Sequence, residues 1–218
     1  MKQLFLLRHG ESWANAGYPT DHPAQIPLTD KGIAQIHALP ELWRKFDLPR
    51  PTQIVASQYT RAQETARPLA EAYQQTIVTE PLCHEVVILS PPVVTGTNNI
   101  QRKPLLDAYW EQAEVDARHG EGAETFRQFS QRVTQALNCF ADYPHHSLIV
   151  GHGTWFARLW WHCLGFKQVD SVMMRAFRQF HLGVPMPNCA LFSLTYYGNS
   201  DWHMQAHEGF CRAMVELS

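Results

Sequence analysis

Short apolar runs alternate along this chain with longer stretches of helical periodicity. Leu4–Phe5–Leu6–Leu7 is continuously apolar and ends at Arg8–His9–Gly10, the pattern of a buried strand running into a loop. Leu28–Thr29–Asp30 then offers a helix cap, and Ile33, Ile36, Leu39, Leu42, Trp43 and Phe46 come after it at helical spacing. Pro40 falls inside that stretch, where it should kink or split the helix. Residues 53–56 read as a second strand ending at Ser57. Residues 61–73 read as a second helix with Pro68 as an interior irregularity, and residues 76–78 as a third strand. Residues 86–122 break the rhythm: Pro91–Pro92, Gly96 and Asn98–Asn99 precede a short helical piece over residues 105–117. A long helix is predicted over residues 123–143, with Phe126, Phe129, Val133 and Leu137 on one face. A fourth strand over 147–150 ends at Gly151–His152–Gly153, a helix covers 155–163, and two more strands fit 190–196 and 202–206.

Strands alternating with helices predict an α/β fold, a three-layer sandwich with a mainly parallel central sheet covered on both faces. We read one domain over residues 1–218, with an inserted lid at about 86–122. The chain shows no internal repeat and no low-complexity tract. Sheets of this kind bind ligands at the carboxyl ends of their strands. Three polar clusters sit at such ends: Arg8–His9–Gly10, Ser57 with Arg61, and Gly151–His152–Gly153.

Composition narrows the function. With 45% apolar and 17% charged residues, the chain reads as globular and soluble. Eighteen Lys and Arg against twenty Asp and Glu argue against nucleic acid or an anionic membrane surface as the main partner, though a local cluster can still bind a small anion. Cys83, Cys139, Cys163, Cys189 and Cys211 form no CxxC pair, so most are expected to be buried thiols in a reducing compartment. The first apolar run is too short for a signal peptide, and no run reaches a membrane span; the expected location is cytoplasmic. No Cys/His set or carboxylate cluster has metal-ligand spacing, so neither metal nor other cofactor is expected. His145–His146 reads as a solvated turn, and His203 and His207 fall on a strand rather than on one helix face. Trp155, Trp160 and Trp161 read as packing. Nothing in the pattern sets an oligomeric state.

The polar clusters carry chemistry that suits phosphate. Arg8 presents a planar fork of donors matching phosphate geometry. His9 is a nucleophile that is largely neutral near physiological pH, Gly10 lets the backbone approach a ligand closely, and Asn15 adds an amide donor. Taken alone, a strand-end histidine is more often structural, Arg61 would be an exposed helix-terminal arginine, and His152 a turn residue. Yet a cation at a helix N-terminus opposes the macrodipole unless an anion is bound there.

Taken together, Leu6–Leu7–Arg8–His9–Gly10–Glu11–Ser12–Trp13–Ala14–Asn15 resembles the signature of the histidine phosphatase superfamily, which includes the cofactor-dependent phosphoglycerate mutases. Residues 57–66 resemble that family's second arginine motif, and Val150–Gly151–His152–Gly153 its second histidine motif. Leu28–Thr29–Asp30–Lys31–Gly32 and Glu124–Thr125–Phe126, with Arg132 downstream, fit it as well. The matches run in family order over nearly the whole chain; the Arg–His–Gly triplet alone would be weak. The resemblance implies that His9 attacks phosphorus and carries the phosphoryl group, without a metal. Arg8, Arg61 and His152 would hold its oxygens, with Asn15 assisting. Family position points to Glu85 as the acid that protonates the leaving oxygen and then the base that activates water. Glu64 and Glu80 are rivals by residue type. The acid-phosphatase branch uses a His–Asp pair instead; no such dipeptide occurs here, so the glutamate-type branch fits better.

The implied activity is hydrolysis of a small phosphorylated metabolite. A phosphomutase is the alternative, and a degenerate phospho-ligand-binding module a third reading, opposed by the intact Arg8, His9, Arg61, Glu85 and His152. Val86–Val87–Ile88–Leu89–Ser90–Pro91–Pro92 is apolar where a mutase would place an arginine-rich carboxylate pocket, which favours hydrolysis. Arg102, Lys103, Arg118 and His119 in the lid, or Arg175 and Arg178 in a later loop, could meet a second anionic group. Val93, Tyr109 and Trp110 could equally fit a hydrophobic or aromatic leaving group.

Overall fold

The computed structural model describes residues 1–198 and 201–217. In chain order its elements are β1 (Lys2–Arg8), α1 (Asp30–Lys45), β2 (Ile54–Ala56), α2 (Thr60–Tyr73), β3 (Ile77–Thr79), α3 (Pro91–Val94), α4 (Asn99–Gln112), α5 (Phe126–Phe140), β4 (Leu148–Gly151), α6 (Gly153–Cys163), α7 (Ser171–Gly183), β5 (Leu191–Gly198), β6 (Asp201–Ala206) and α8 (Glu208–Glu216). The strands form one sheet in the order β3-β2-β4-β1-β5-β6. β3, β2, β4 and β1 are mutually parallel, β5 is antiparallel to β1, and β6 is antiparallel to β5.

The continuous apolar runs arise from burial of both sheet faces. Along β1, Leu4 and Leu6 enter one core with Phe129, Trp155 and Phe192, while Phe5 and Leu7 enter the other with Leu39, Trp43 and Phe210. Ile54 and Ala56 part from Val55 in the same way, as do Leu148 and Val150 from Ile149. Helices α1, α2 and α8 cover one face, and α5, α6 and α7 the other, which completes the three layers.

Several boundaries differ from the sequence pattern. α1 runs unsplit through Pro40 because Ile36, Leu39, Leu42 and Trp43 are buried on either side of it; that packing outweighs one missing backbone hydrogen bond. α2 likewise continues through Pro68. α4 starts at Asn99, earlier than expected, because Asn98 and Gln101 form a reciprocal capping box, and Ala113 ends it at φ 52°. Thr125 and Gln128 form a second such box, so the long helix begins at Phe126 and ends at Phe140. Arg175 and Arg178 lie on α7, not in a loop; Asp170 caps that helix by accepting from the Met173 N–H at 2.8 Å. α8 is a further helix that the pattern does not predict. All five cysteines are free, yet only Cys83 and Cys189 are buried; Cys163 and Cys211 are half-buried and Cys139 is exposed. Among the described residues no helix is long and apolar enough to cross a membrane.

Candidate active site

Strand register places the polar clusters side by side. Arg8 pairs with Gly151 across β1 and β4, and the His9 N–H donates to the Gly151 carbonyl at 3.0 Å. His9 and His152 therefore leave adjacent strands together, with ring centroids 5.2 Å apart. On the other side of β4, Ala56 pairs with Val150 and the Ser57 N–H donates to the Val150 carbonyl. That sets Ser57 Oγ 2.8 Å from His152 Nε2. Arg61 enters from the first turn of α2.

The protonation of His9 can be read from its neighbours. Nδ1 lies 2.7 Å from the Gly10 carbonyl, and Nε2 lies 3.1 Å from Arg61 Nε. A carbonyl only accepts and a guanidinium only donates, so the proton is on Nδ1 and the lone pair on Nε2. The ring is 4% exposed. Burial first, then Arg61 and Arg8, hold its pKa well below the usual histidine value, against the opposing pull of the Gly10 carbonyl.

Two arginines face this ring. Arg61 is 6% exposed, not a surface residue. Its Nη1 donates to the Pro23 carbonyl at 2.8 Å, and its guanidinium stands 5.0 Å from the Tyr59 ring centroid. Burial pulls its pKa from 12.5 to about 10. Arg8 donates to the Met186 carbonyl through Nη1, while its buried Nε has no partner; burial lowers its pKa too. Among the described residues neither arginine has a carboxylate within ion-pair distance. Two cations with no carboxylate in ion-pair contact, offset only by the more distant Glu85, make a site for an anion. His152 is fully buried, and its Nδ1 has no partner. Burial, then Arg61 and His9, hold its pKa well below the ordinary value. Asn15 Oδ1 accepts from Ser12 N, Ser12 Oγ and Asn188 Nδ2, which turns its amide nitrogen into the available donor.

Glu85 joins from the segment after β3. Its carboxylate accepts from Val86 N at 2.9 Å and from Thr154 N and Trp155 N at 3.0 Å each, at the N-terminus of α6. The segment that carries it is held by Arg132, which donates to the Leu82 and His84 carbonyls and pairs with Glu124 at 2.5 Å. Glu124 in turn accepts from Val87 N. The rivals are engaged elsewhere: Glu64 accepts from Leu28 N, and Glu80 caps Leu82 N and accepts from Tyr143 Oη.

Arg8, His9, Asn15, Arg61 and Glu85 line one cavity of about 390 Å³ with Ser12, Asn99, Thr154 and His181. Gly10 does not face it. A Cβ at Gly10 would stand 3.0 Å from the Gly32 carbonyl oxygen and 3.1 Å from Ile36, so this glycine serves the contact with α1. Gly153 does serve the site: a Cβ there would stand 3.2 Å from Arg8 Nε. Among the described residues no three His, Cys, Asp or Glu side chains converge to hold a metal ion.

Three lining or supporting residues carried no local signal. Thr65 Oγ1 accepts from the Gly10 N–H at 3.0 Å. Asn188 Nδ2 donates to the His9 carbonyl at 3.2 Å; its position after Pro187 marked only a turn. His181 stacks on Phe177 in the last turn of α7, with Nδ1 unpartnered. None of Lys103, Arg118, His119, Arg175 and Arg178 lines the cavity. Lys103 pairs with Asp107, Arg118 donates to Gln128, His119 sits 3.5 Å from Ser90, Arg175 donates to the Glu111 and Gln112 carbonyls, and Arg178 covers Trp110. Arg102 is buried, with Nε and Nη2 fixed to Thr20, Val94 and Thr97. Tyr109 and Trp110 belong to the core beside Phe126 and Phe177 rather than to the site. Val93 does not line the site either.

The chain has recognisable relatives. The profile of the histidine phosphatase superfamily (branch 1) matches residues 4–208. The probable phosphoglycerate mutase GpmB of Yersinia pestis is 30% identical over 162 residues, 70% of each chain. Among solved structures, a mycobacterial glucosyl-3-phosphoglycerate phosphatase superposes with a TM-score of 0.71 at 22% identity, covering 94% of this chain and 98% of its own. The α-ribazole phosphatase of Shigella flexneri gives 0.71 at 22%, with 94% and 95% covered. A phosphoserine phosphatase of Entamoeba histolytica gives 0.65 at 18%, with 95% of each chain covered.

Proposed function

The chain belongs to the histidine phosphatase superfamily (branch 1), and from that premise we propose that it is a metal-independent phosphatase hydrolysing a phosphomonoester of a small metabolite through a phosphohistidine on His9. The observation that carries this reading is the His9 tautomer. The Gly10 carbonyl claims the Nδ1 proton, and the Nε2 lone pair is left facing Arg61 inside a cavity of unpaired cations. In the first step Nε2 attacks phosphorus and the phosphorus–ester oxygen bond breaks. Glu85 gives its proton to the departing oxygen. In the second step Glu85 takes a proton from water, the water oxygen attacks phosphorus, and the bond to Nε2 breaks to release phosphate. Arg8, Arg61, His152 and the Asn15 amide hold the equatorial oxygens, where the charge resides, as metals do in other phosphoryl-transfer sites. Residues 86–122 form the lid of this single domain.

Rapid quench with a labelled phosphomonoester should trap an acid-labile, base-stable phosphoenzyme, and His9→Ala should form none and turn over no substrate. Normal turnover by His9→Ala would sink the mechanism. The resemblance to a protein named as a phosphoglycerate mutase motivates one further arm. Incubation with 3-phosphoglycerate should give little interconversion; efficient, primer-dependent isomerisation would make the phosphomutase reading correct.

A further inference from the structure

The phosphate cavity is continuous in its lining with a second one. A cavity of about 270 Å³ shares Arg61, Glu85, Asn99 and Thr154 with it and extends under α4. Beyond the shared residues its wall is mainly apolar, with Ile26, Val87, Ile88 and Leu106 beside Tyr59 and Arg102. Such a neighbour of a phosphoryl site receives whatever the ester oxygen is attached to.

Resting on the phosphatase reading above, we infer that the substrate's alcohol is uncharged and apolar, a single aromatic ring or a branched aliphatic chain. Three observations converge on this. The first is the wall itself, since burying a second carboxylate or phosphate against aliphatic side chains without a partner is strongly unfavourable. The second is charge. The cations outside the phosphoryl site are tied elsewhere, and Arg102, which does lie in this wall, has Nε and Nη2 fixed into the turn formed by Val94 and Thr97. Glu85 borders both cavities and adds no cation to the wall. The third is size. A volume of about 270 Å³ lies at the small end of ligand sites, which suits one ring or a short branched chain.

The test compares kcat/KM for benzyl phosphate and 3-methylbutyl phosphate with that for glycerol 3-phosphate and 3-phosphoglycerate. Acetyl phosphate, too small to reach the apolar cavity, reports the His9 reaction by itself. The apolar esters should be preferred by about tenfold to a hundredfold. Leu106→Arg, at a partly exposed position of α4, should cut that preference about tenfold or more by placing a cation in the wall. Should this variant fail to fold, the ranking by the parent protein decides alone. Equal or better turnover of glycerol 3-phosphate and 3-phosphoglycerate, with acetyl phosphate still labelling His9, would overturn the substrate class and leave the phosphatase reading standing. No phosphoenzyme from any ester would overturn the phosphatase reading and this inference with it.

Discussion

Replacing Arg61 with methionine should damage activity while leaving stability nearly unchanged. The side chain is buried at the N-terminus of α2, and among the described residues no carboxylate pairs with it. Burial takes its pKa from 12.5 to about 10, a fall worth about 3 kcal/mol against the charged form. The sign is that of a depressed cation. At pH 7 the group is protonated in both the folded and unfolded chains, so the whole penalty applies. It is relieved only as pH rises through about 10 toward 12.5, where the unfolded chain binds the extra proton. Methionine keeps most of the length and removes the charge. It forfeits the hydrogen bonds that the charged guanidinium donates to the Pro23 carbonyl and to His9 Nε2, at about 1.5 kcal/mol or more each. Gain and loss roughly cancel, so the midpoint should move by no more than about 2–4 °C in a chain of this size. The same change removes a donor aimed at developing charge, worth about 2–4 kcal/mol, so turnover should fall about a hundredfold or more. Thermal unfolding followed by circular dichroism, with and without vanadate, reads both effects. Vanadate should raise the midpoint of the parent protein more than that of Arg61→Met. If the variant instead loses several degrees, internal partners already compensate the charge. If turnover survives, Arg61 does not touch the phosphoryl group.

Two further outcomes separate the remaining roles. Glu85→Gln keeps the shape but has no proton to give, so it should slow alkyl phosphates far more than an activated aryl phosphate, and phosphoenzyme should accumulate with the aryl ester; equal slowing without accumulation would reduce Glu85 to a structural residue. Exhaustive chelation should leave turnover intact, and loss restored by Mg²⁺ or Zn²⁺ would contradict the reliance on Arg8, Arg61 and His152.

The strand ends were legible because a strand buried on both faces writes a continuous apolar run, and the residues just past the run must sit at the sheet edge. Arg8, His9, Ser57 and His152 were placed by that rule alone. Arg61 was misleading in isolation, since helix N-termini are usually solvated. Its burial comes from Tyr59 and Pro23, contacts that no local pattern encodes. Glu85 depended wholly on family position, for its setting comes from α6 and from the Glu124–Arg132 pair, distant in sequence. Residues 86–122 stood out as a departure in rhythm, but which of them face the site was not legible. Tyr109 and Trp110 turned into the core, while Val94 and Leu106 turned to the cavity. A short amphipathic helix offers several faces, and only its partners choose among them. α7 escaped notice although Asp170 is a good cap, and His181 was lost with it.

β1 lies in the middle of the sheet, between β4 and β5, although it is made first. Its partners are residues 148–151 and 191–196. At ribosomal rates the strand that leads into His9 therefore waits about ten to forty seconds for a neighbour on each side. Few of its contacts are local, which also makes for slow folding once synthesis ends. Through that interval the apolar run Leu4–Leu7 is unpaired on both edges, a template for the wrong partner. The site therefore cannot assemble until residues 148–151 and 191–196 have been made, and activity should arrive late and all at once, not in proportion to chain length.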